Sequence, residues 1–531
     1  MWCGFVHSRV EGRRTLYRVT NREVASLVDQ AKRFLDANEA QTHVVESLTT
    51  HLRKIVPDHS PIETAVETPV EIRAMDYDLA IIGSGGAAFG AAIRAANLGA
   101  RVALVEMGVV GGTCVNIGCI PSKTLLAGAD AFHSAASHPH AGLPTHTATV
   151  DMHALIAQKD ELVGQLRGSK YFDVAAAYGF EVIHGTARFI DPDTLDVDGQ
   201  LLRATSYIVA TGAEPTVPNV AGLADAGYLT STTAMELSVL PARVVTIGGG
   251  FVGMEQSQLL RRLGAHVSIV GRLAPRAEPE LAAWIAQVFV DEGIDVVAER
   301  VVAVEVEGDE KVVITDAGTR LHADAILVAV GRSPRVEALD LDAAGVKRGA
   351  AGFIAVDEEL RTSNPRIFAA GDVTGGAQYV YVAAAQGHLA AENALTDAHR
   401  RMDYTGLPSV IFTDPALASA GMTEAEARSA GHDVDCRVLE LENVPRAIAN
   451  RDMRGAIKLV AEANTGKILG VHALAEGAGD LILAGVYAIK FGLTVDDLAT
   501  TWAPYLTMSE ALKLVAQSFK GDVKKLSCCA V

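Results

Sequence analysis

The residues of this 531-residue chain whose types and spacing best suit chemistry are Cys114 and Cys119, in the run Gly111-Gly112-Thr113-Cys114-Val115-Asn116-Ile117-Gly118-Cys119-Ile120-Pro121-Ser122-Lys123. The intervening residues let the two sulfurs meet, so the pair can alternate between disulfide and dithiol. Pro121 suits the first turn of a following helix, and the positive end of that helix favours a thiolate at Cys119. Lys123, about one turn later, brings a further positive charge to the same place. The remaining cysteines are Cys3, Cys436, Cys528 and Cys529, and six in so long a chain make no structural disulfide framework. Cys436 has no neighbouring partner and reads as an inert thiol.

The elements that must position this pair begin with the apolar run Tyr77-Asp78-Leu79-Ala80-Ile81-Ile82, a strand that leads into Gly83-Ser84-Gly85-Gly86-Ala87-Ala88. This is a G-x-G-x-x-A turn opening a helix, with Glu106 closing the next strand about 20 residues on. Gly83, Gly85, Gly86 and Ala88 let backbone N–H groups and the helix end approach a pyrophosphate, and Glu106 can accept from a ribose hydroxyl. A second copy, Gly248-Gly249-Gly250-Phe251-Val252-Gly253, follows the strand Arg243-Val244-Val245-Thr246, so two dinucleotides are implied. Its key glycines are Gly248, Gly250 and Gly253. Where an NAD site would present a carboxylate, this unit has Arg272 and Arg276, which suit a 2'-phosphate. The expected cofactors are FAD at the first site and NADPH at the second. Lys123 can then stand near the flavin and stabilise negative charge on it.

Composition agrees with a multidomain α/β enzyme. Hydrophobic residues make up 49% and charged residues 21%, and the 49 glycines are dispersed rather than repeated. A net charge of -18 opposes attraction to nucleic acid or anionic membranes, so neither is an expected partner. No leader-like segment or uncharged apolar run of about 18 residues is present, and the expected location is cytoplasmic. The first part of the chain differs: residues 9 to 19 read as a hairpin about Glu11-Gly12, followed by a helical pattern to about Leu52 and a proline-containing linker. Residues 1–56 resemble the wing and last helix of an ArsR-type winged-helix repressor without its recognition helix, and are not expected to bind DNA.

From about residue 76 to 520 the sequence resembles the pyridine nucleotide-disulfide oxidoreductase family, which includes glutathione reductase and dihydrolipoamide dehydrogenase. Beside the cysteine motif, the resemblance rests on Ala210-Thr211-Gly212, Val330-Gly331-Arg332 and Thr362-Ser363-Asn364-Pro365-Arg366-Ile367-Phe368-Ala369-Ala370-Gly371-Asp372. It implies two Rossmann-like dinucleotide-binding domains plus a C-terminal α+β dimerisation domain. The implied division is 1–56 repressor-like, 57–75 linker, 76–220 and 331–404 for FAD, 221–330 for NADPH, and 405–531 for a homodimer. It further implies that Gly112, Thr113, Thr211, Gly212 and Asp372 contact FAD, that Gly331 serves NADPH, and that Glu255 pairs with Lys123.

Two departures bear on the substrate. Disulfide reductases of this family carry a proton-shuttling histidine near the C-terminus; the matching segment here is Trp502-Ala503-Pro504-Tyr505-Leu506-Thr507-Met508-Ser509-Glu510, without histidine. Tyrosine titrates near pH ~10 and is a poor base at neutrality, which argues against a disulfide whose leaving thiolates need protons. Close to its last residues the sequence also carries Cys528-Cys529, behind Lys524 and Lys525 and before Ala530-Val531, an adjacent pair suited to a soft metal. A vicinal disulfide that relays electrons, an incidental pair and a lipidated end are the alternatives. Together these features resemble the mercuric reductases of the same family, in which Tyr171 would match a second tyrosine of the metal site. That resemblance implies reduction of Hg(II), received as thiol complexes, with Cys114, Cys119, Cys528 and Cys529 as its ligands and the tail of one subunit serving the other. The alternative is an NADPH-dependent disulfide reductase. The Gly-Met-Thr-Cys-x-x-Cys domain of many mercuric reductases has no counterpart here, so capture by the tail is expected.

Overall fold

A computed structural model describes residues 77–521 apart from residue 147, together with two strands within 6–19. The chain divides into two compact units, Met1–Val70 and Glu71–Val531. In the first, Val6–Glu11 and Arg14–Val19 form an antiparallel hairpin in which Val6 faces Val19 and Glu11 faces Arg14. The expected helix that follows and the 57–75 linker lie outside the described residues.

The larger unit is built on three principal sheets. In the first, five strands run parallel in the order Glu181–His184, Val102–Glu106, Tyr77–Ile82, Gln200–Val209 and Ile367–Ala369. Leu79, Ala80, Ile81 and Ile82 are all buried, as expected for a parallel strand covered on both faces. The helices Gly86–Asn97 and Val380–Leu395 cross at backbone distance on that sheet. A Cβ at Gly387 would fall 1.9 Å from the Ala87 carbonyl oxygen, and one at Gly90 would fall 2.5 Å from that of Ala384. Only small residues at the crossing let the two helices close the core.

The chain leaves this sheet through Ala213–Pro215 and returns through Arg332–Pro334, and the two short strands pair antiparallel with Arg332 facing Pro215. The excursion between them forms a second parallel sheet, ordered Ile294–Val297, His266–Val270, Arg243–Ile247 and Ala325–Val328. A three-stranded antiparallel sheet, Val301–Glu307, Glu310–Thr315 and Arg320–Ala323, accompanies it. The last part of the chain forms a five-stranded antiparallel sheet in the order Pro408–Ile411, Ala416–Gly421, Ile468–Ala475, Ala456–Glu462 and Val434–Glu440. All residues of Ile468–Ala475 are buried, and the helices Ala478–Lys490 and Glu510–Gln517 contribute to the same core. Among the described residues no helix is long and apolar enough to cross a membrane.

Candidate functional site

The cysteines sit on two short-range features that only this local sequence permits. Gly111 and Gly112 adopt φ of 111° and 64°, and a Cβ on Gly112 would lie 2.5 Å from the Cα of Gly85. The redox turn is thereby laid directly against the first glycine loop. The short helix Gly112–Ile117 carries Cys114, Gly118 breaks it, and Cys119 opens the long helix Cys119–Ala136 with Pro121 in its first turn. Both cysteines are partly buried free thiols, the dithiol form of the pair.

The two thiols hydrogen-bond to each other and share their protons unequally. Hydrogen bonding from Cys114 is the main cause that holds the Cys119 thiol down at about 7, with help from the Lys123 cation against the opposing effect of burial. The bond to Cys119, then burial, pushes Cys114 far above the ordinary thiol range. The dithiol therefore loses its first proton near neutrality and holds the second. A nucleophile and soft-metal ligand is thus present at physiological pH without any external base.

Lys123 Nζ meets Glu255 Oε2 at 2.6 Å and lies 4.4 Å from the centroid of the Phe412 ring. Glu255, on the helix Phe251–Leu263, is buried, and its other oxygen accepts from the Phe412 N–H at 2.9 Å. Tyr171 lies in a π-helical turn, Gly168–Phe172, with its ring edge-on to Phe89 at 4.7 Å. Burial, then the charges of Cys114 and Cys119, push the Tyr171 hydroxyl up to about 12, so it remains a proton donor at every working pH. The structure thus brings Cys114, Cys119, Lys123, Glu255 and Tyr171 together. Tyr505 lies half exposed in the segment between the helices Val495–Thr500 and Glu510–Gln517, and it is not among the principal groups acting on either thiol. Cys528 and Cys529 lie outside the described residues, as does Cys3. The Cys436 thiol is pushed up to about 12 by burial and by Glu424, far from reactive.

Two residues absent from the sequence-based reading organise this site. Asn116 donates to the carbonyls of Val110 at 3.1 Å and Gly112 at 3.0 Å and accepts from Arg167 Nε at 2.8 Å, pinning the turn between the cysteines. It stood inside the motif, and its amide was the available signal. Phe412 had none, because its ring and N–H reach Lys123 and Glu255 only through the fold.

The glycine loops are geometric copies of each other. Gly83 and Gly248 have φ of 107° and 113°, and a Cβ on them would lie 2.4 Å from the Ala210 carbonyl oxygen and 2.5 Å from that of Ala329. Gly85 and Gly250 open the helices Gly86–Asn97 and Phe251–Leu263, and neither helix end has a side-chain cap. Free N–H groups at such an end fit a pyrophosphate. In the second loop a Cβ at Gly253 would lie 1.9 Å from the Gly248 carbonyl oxygen, whereas the first tolerates the fully buried Ala88. Glu106 accepts from the Ser84 hydroxyl at 2.5 Å and the Gly108 N–H at 2.7 Å, leaving lone pairs for a ribose. Arg272 and Arg276 are exposed just beyond the strand His266–Val270. Gly212 and Gly331 face open space at positive φ. Asp372, its carboxyl pushed up by burial against the pull of Arg332, keeps Arg332 Nε at 3.5 Å and has acceptor capacity to spare. These residues fit one flavin dinucleotide and one pyridine dinucleotide.

Residues 77–387 match the pyridine nucleotide-disulphide oxidoreductase family, and residues 407–516 match its dimerisation domain. The chain belongs to this family. As a pyridine nucleotide-disulphide oxidoreductase it is an enzyme of flavin and pyridine nucleotide chemistry, and the matched dimerisation domain fits a homodimer. A mercuric reductase of Streptomyces lividans is 53% identical over 466 residues, covering 86% of this chain and 98% of that protein. One from Lysinibacillus sphaericus is 46% identical over 477 residues, covering 88% and 87%. Among solved structures, the HOCl-induced flavoprotein disulfide reductase RclA from Escherichia coli matches with a TM-score of 0.75 at 30% identity, covering 84% of this chain and 100% of that one.

Proposed function

We propose that this enzyme reduces Hg(II) to Hg(0) with electrons from NADPH, passed by FAD to the Cys114–Cys119 site. The reading is carried by the partly buried thiol pair Cys114 and Cys119, with the Cys119 thiol lowered by its bond to Cys114 and by Lys123, which Glu255 holds at 2.6 Å, and with the Tyr171 hydroxyl raised by burial and by the two cysteines. Its likeness to proteins named mercuric reductase supports the choice of substrate.

FAD would be held by Gly83, Gly85, Gly86, Ala88, Glu106, Gly112, Thr113, Lys123, Thr211, Gly212 and Asp372, within 76–220 and 331–404. NADPH would be held by Gly248, Gly250, Gly253, Arg272, Arg276 and Gly331, within 221–330. When bound, the two cofactors supply a hydride and its onward delivery as an electron pair. Cys528 and Cys529, reaching from the other subunit through the 405–531 dimer, take Hg(II) from small thiols. They pass it to Cys114 and Cys119 by exchange, each step forming one Hg–S bond as another breaks and its thiolate leaves. Lys123, held by Glu255, keeps positive charge beside Cys119, and Tyr171 lines the site; Tyr505, assigned by the family resemblance alone, would join it in orienting the ligand. Two electrons convert the bound Hg(II) to Hg(0) and break both Hg–S bonds, leaving Cys119 as thiolate while Cys114 takes up a proton.

A disulfide substrate is the second reading, supported by the likeness to a flavoprotein disulfide reductase. NADPH oxidation with Hg(II) in excess thiol, set beside oxidation with glutathione disulfide and lipoamide, separates the two. Mercury-dependent oxidation that collapses in Cys114→Ala and Cys119→Ala is expected; brisk disulfide turnover with indifference to mercury would overturn the proposal. The Cys528→Ala, Cys529→Ala double variant loses turnover chiefly when excess thiol competes for the metal.

A further inference from the structure

The helix that begins at Cys119 is tied to the helix Phe251–Leu263 at two places. Lys123 Nζ meets Glu255 Oε2 at 2.6 Å, and about two turns along both helices Arg262 Nη1 meets Asp130 Oδ1 at 2.6 Å. Both pairs join residues 132 apart in sequence, so they belong to one register of two helices running side by side in the same direction.

Arg262 does more than close the second tie. Its side chain is 1% exposed, and its guanidinium also meets Glu292 at 2.6 Å and the Asp414 carboxylate at 3.0 Å. Gln258, one turn back on the same face, donates to the Asp414 carbonyl at 2.9 Å and accepts from the Asp414 N–H at 2.8 Å. The segment fixed in this way carries Phe412, whose N–H holds Glu255 and whose ring lies under Lys123. One buried cation is therefore connected to Lys123 by two routes: along the redox helix through Asp130, and around through Asp414, Phe412 and Glu255. A buried ion cluster of this kind adds little stability over apolar packing, and fixing register is its best-attested use.

We propose that Arg262 is a positioning residue for Cys119, acting from about 16 Å along the helix by setting the register that holds Lys123 beside the thiol pair. The inference rests on Cys119 being the reactive thiol and not on mercury being the substrate. Asp130→Asn is the informative variant, because its carboxylate is 43% exposed and its loss leaves Arg262 with both Glu292 and Asp414. Direct electrostatics and register predict opposite signs: removing a distant negative charge would speed attack by Cys119, whereas loss of register slows it.

The test is the rate at which iodoacetamide alkylates Cys119 in reduced, metal-free holoenzyme at pH 6, with the modified peptide identified by mass. Asp130→Asn and Arg262→Lys are each expected to slow the reaction about threefold or more. Asp130→Asn should add nothing in a Lys123→Met background, since it acts through that lysine. An unchanged or faster rate in Asp130→Asn overturns the proposal, as does a double variant whose loss is the product of the single losses. An unaltered enzyme whose Cys119 is no faster than Cys436 would overturn both this and the reading of the redox pair.

Discussion

The hydrogen bond from Cys114 is the main cause that lowers Cys119, so Cys114→Ala should change how the surviving thiol responds to pH. With its pKa at about 7 against an ordinary 9.0, Cys119 is about half ionised at pH 7, where an unshifted thiol is about 1% ionised. Full loss of the shift at pH 6 lowers the thiolate about 90-fold. A more basic thiolate is intrinsically more nucleophilic, by about tenfold for two pKa units at a Brønsted slope of about 0.5. The net expectation in that limit is alkylation slower by about tenfold at pH 6 and faster by about tenfold at pH 10, with the two rate profiles crossing between. Lys123 remains in the variant, so the midpoint should move toward 9 without passing far beyond it. The assay is iodoacetamide labelling of the reduced enzyme from pH 5 to 11, following only the Cys119 peptide. A midpoint that stays near 7 in Cys114→Ala, or profiles that never cross, would refute the claim that the partner thiol sets the reactivity.

Other consequences follow from the same geometry. Tyr171→Phe keeps the edge contact with Phe89 but removes a hydroxyl that stays protonated up to about 12. Mercury turnover should fall about tenfold or more while the pH profile between 6 and 9 keeps its midpoint, and a displaced midpoint would show the tyrosine acting as a base. Gly83→Ala places a Cβ 2.4 Å from the Ala210 carbonyl oxygen at a φ of 107°. It should cost about 1–3 kcal/mol or more and lower flavin content, read by thermal midpoint and flavin absorbance; normal flavin content would refute the assignment of this loop. Arg272→Glu should reduce the preference for NADPH over NADH by about tenfold or more, measured as the ratio of kcat/KM values.

The chemistry of the redox turn was legible because its determinants are short in range. Cys114, Cys119 and Lys123 fall on one turn and the start of one helix. The glycines beside them stand where positive φ or backbone contact leaves no other choice, as Gly112 against Gly85 demonstrates. The paired loops at Gly83 and Gly248 were readable for the same reason. The return of the chain into its first sheet was less legible: Ile367–Ala369 pairs with Gln200–Val209 across the whole intervening unit, and a three-residue apolar strand carries no address. It was placed through the motif around it rather than through its own pattern. The tail pair Cys528-Cys529 could be read as chemistry, but nothing local says which subunit's thiols it meets.

What the amino-acid order alone determined is the identity of the reacting groups and of the turns that present them, since both depend on backbone conformation and residues within a few positions. The tertiary structure decided which charges surround those groups. Glu255 could be paired with Lys123 in advance only by likeness to a family, and Phe412, Asp414 and Arg262 not at all. Their contacts join segments brought together by core packing, and packing depends on the complementarity of surfaces far apart in the chain. The reactivity of Cys119 reflects both levels: the thiol and its partner are written locally, while the cation that attends them is held in place by the fold.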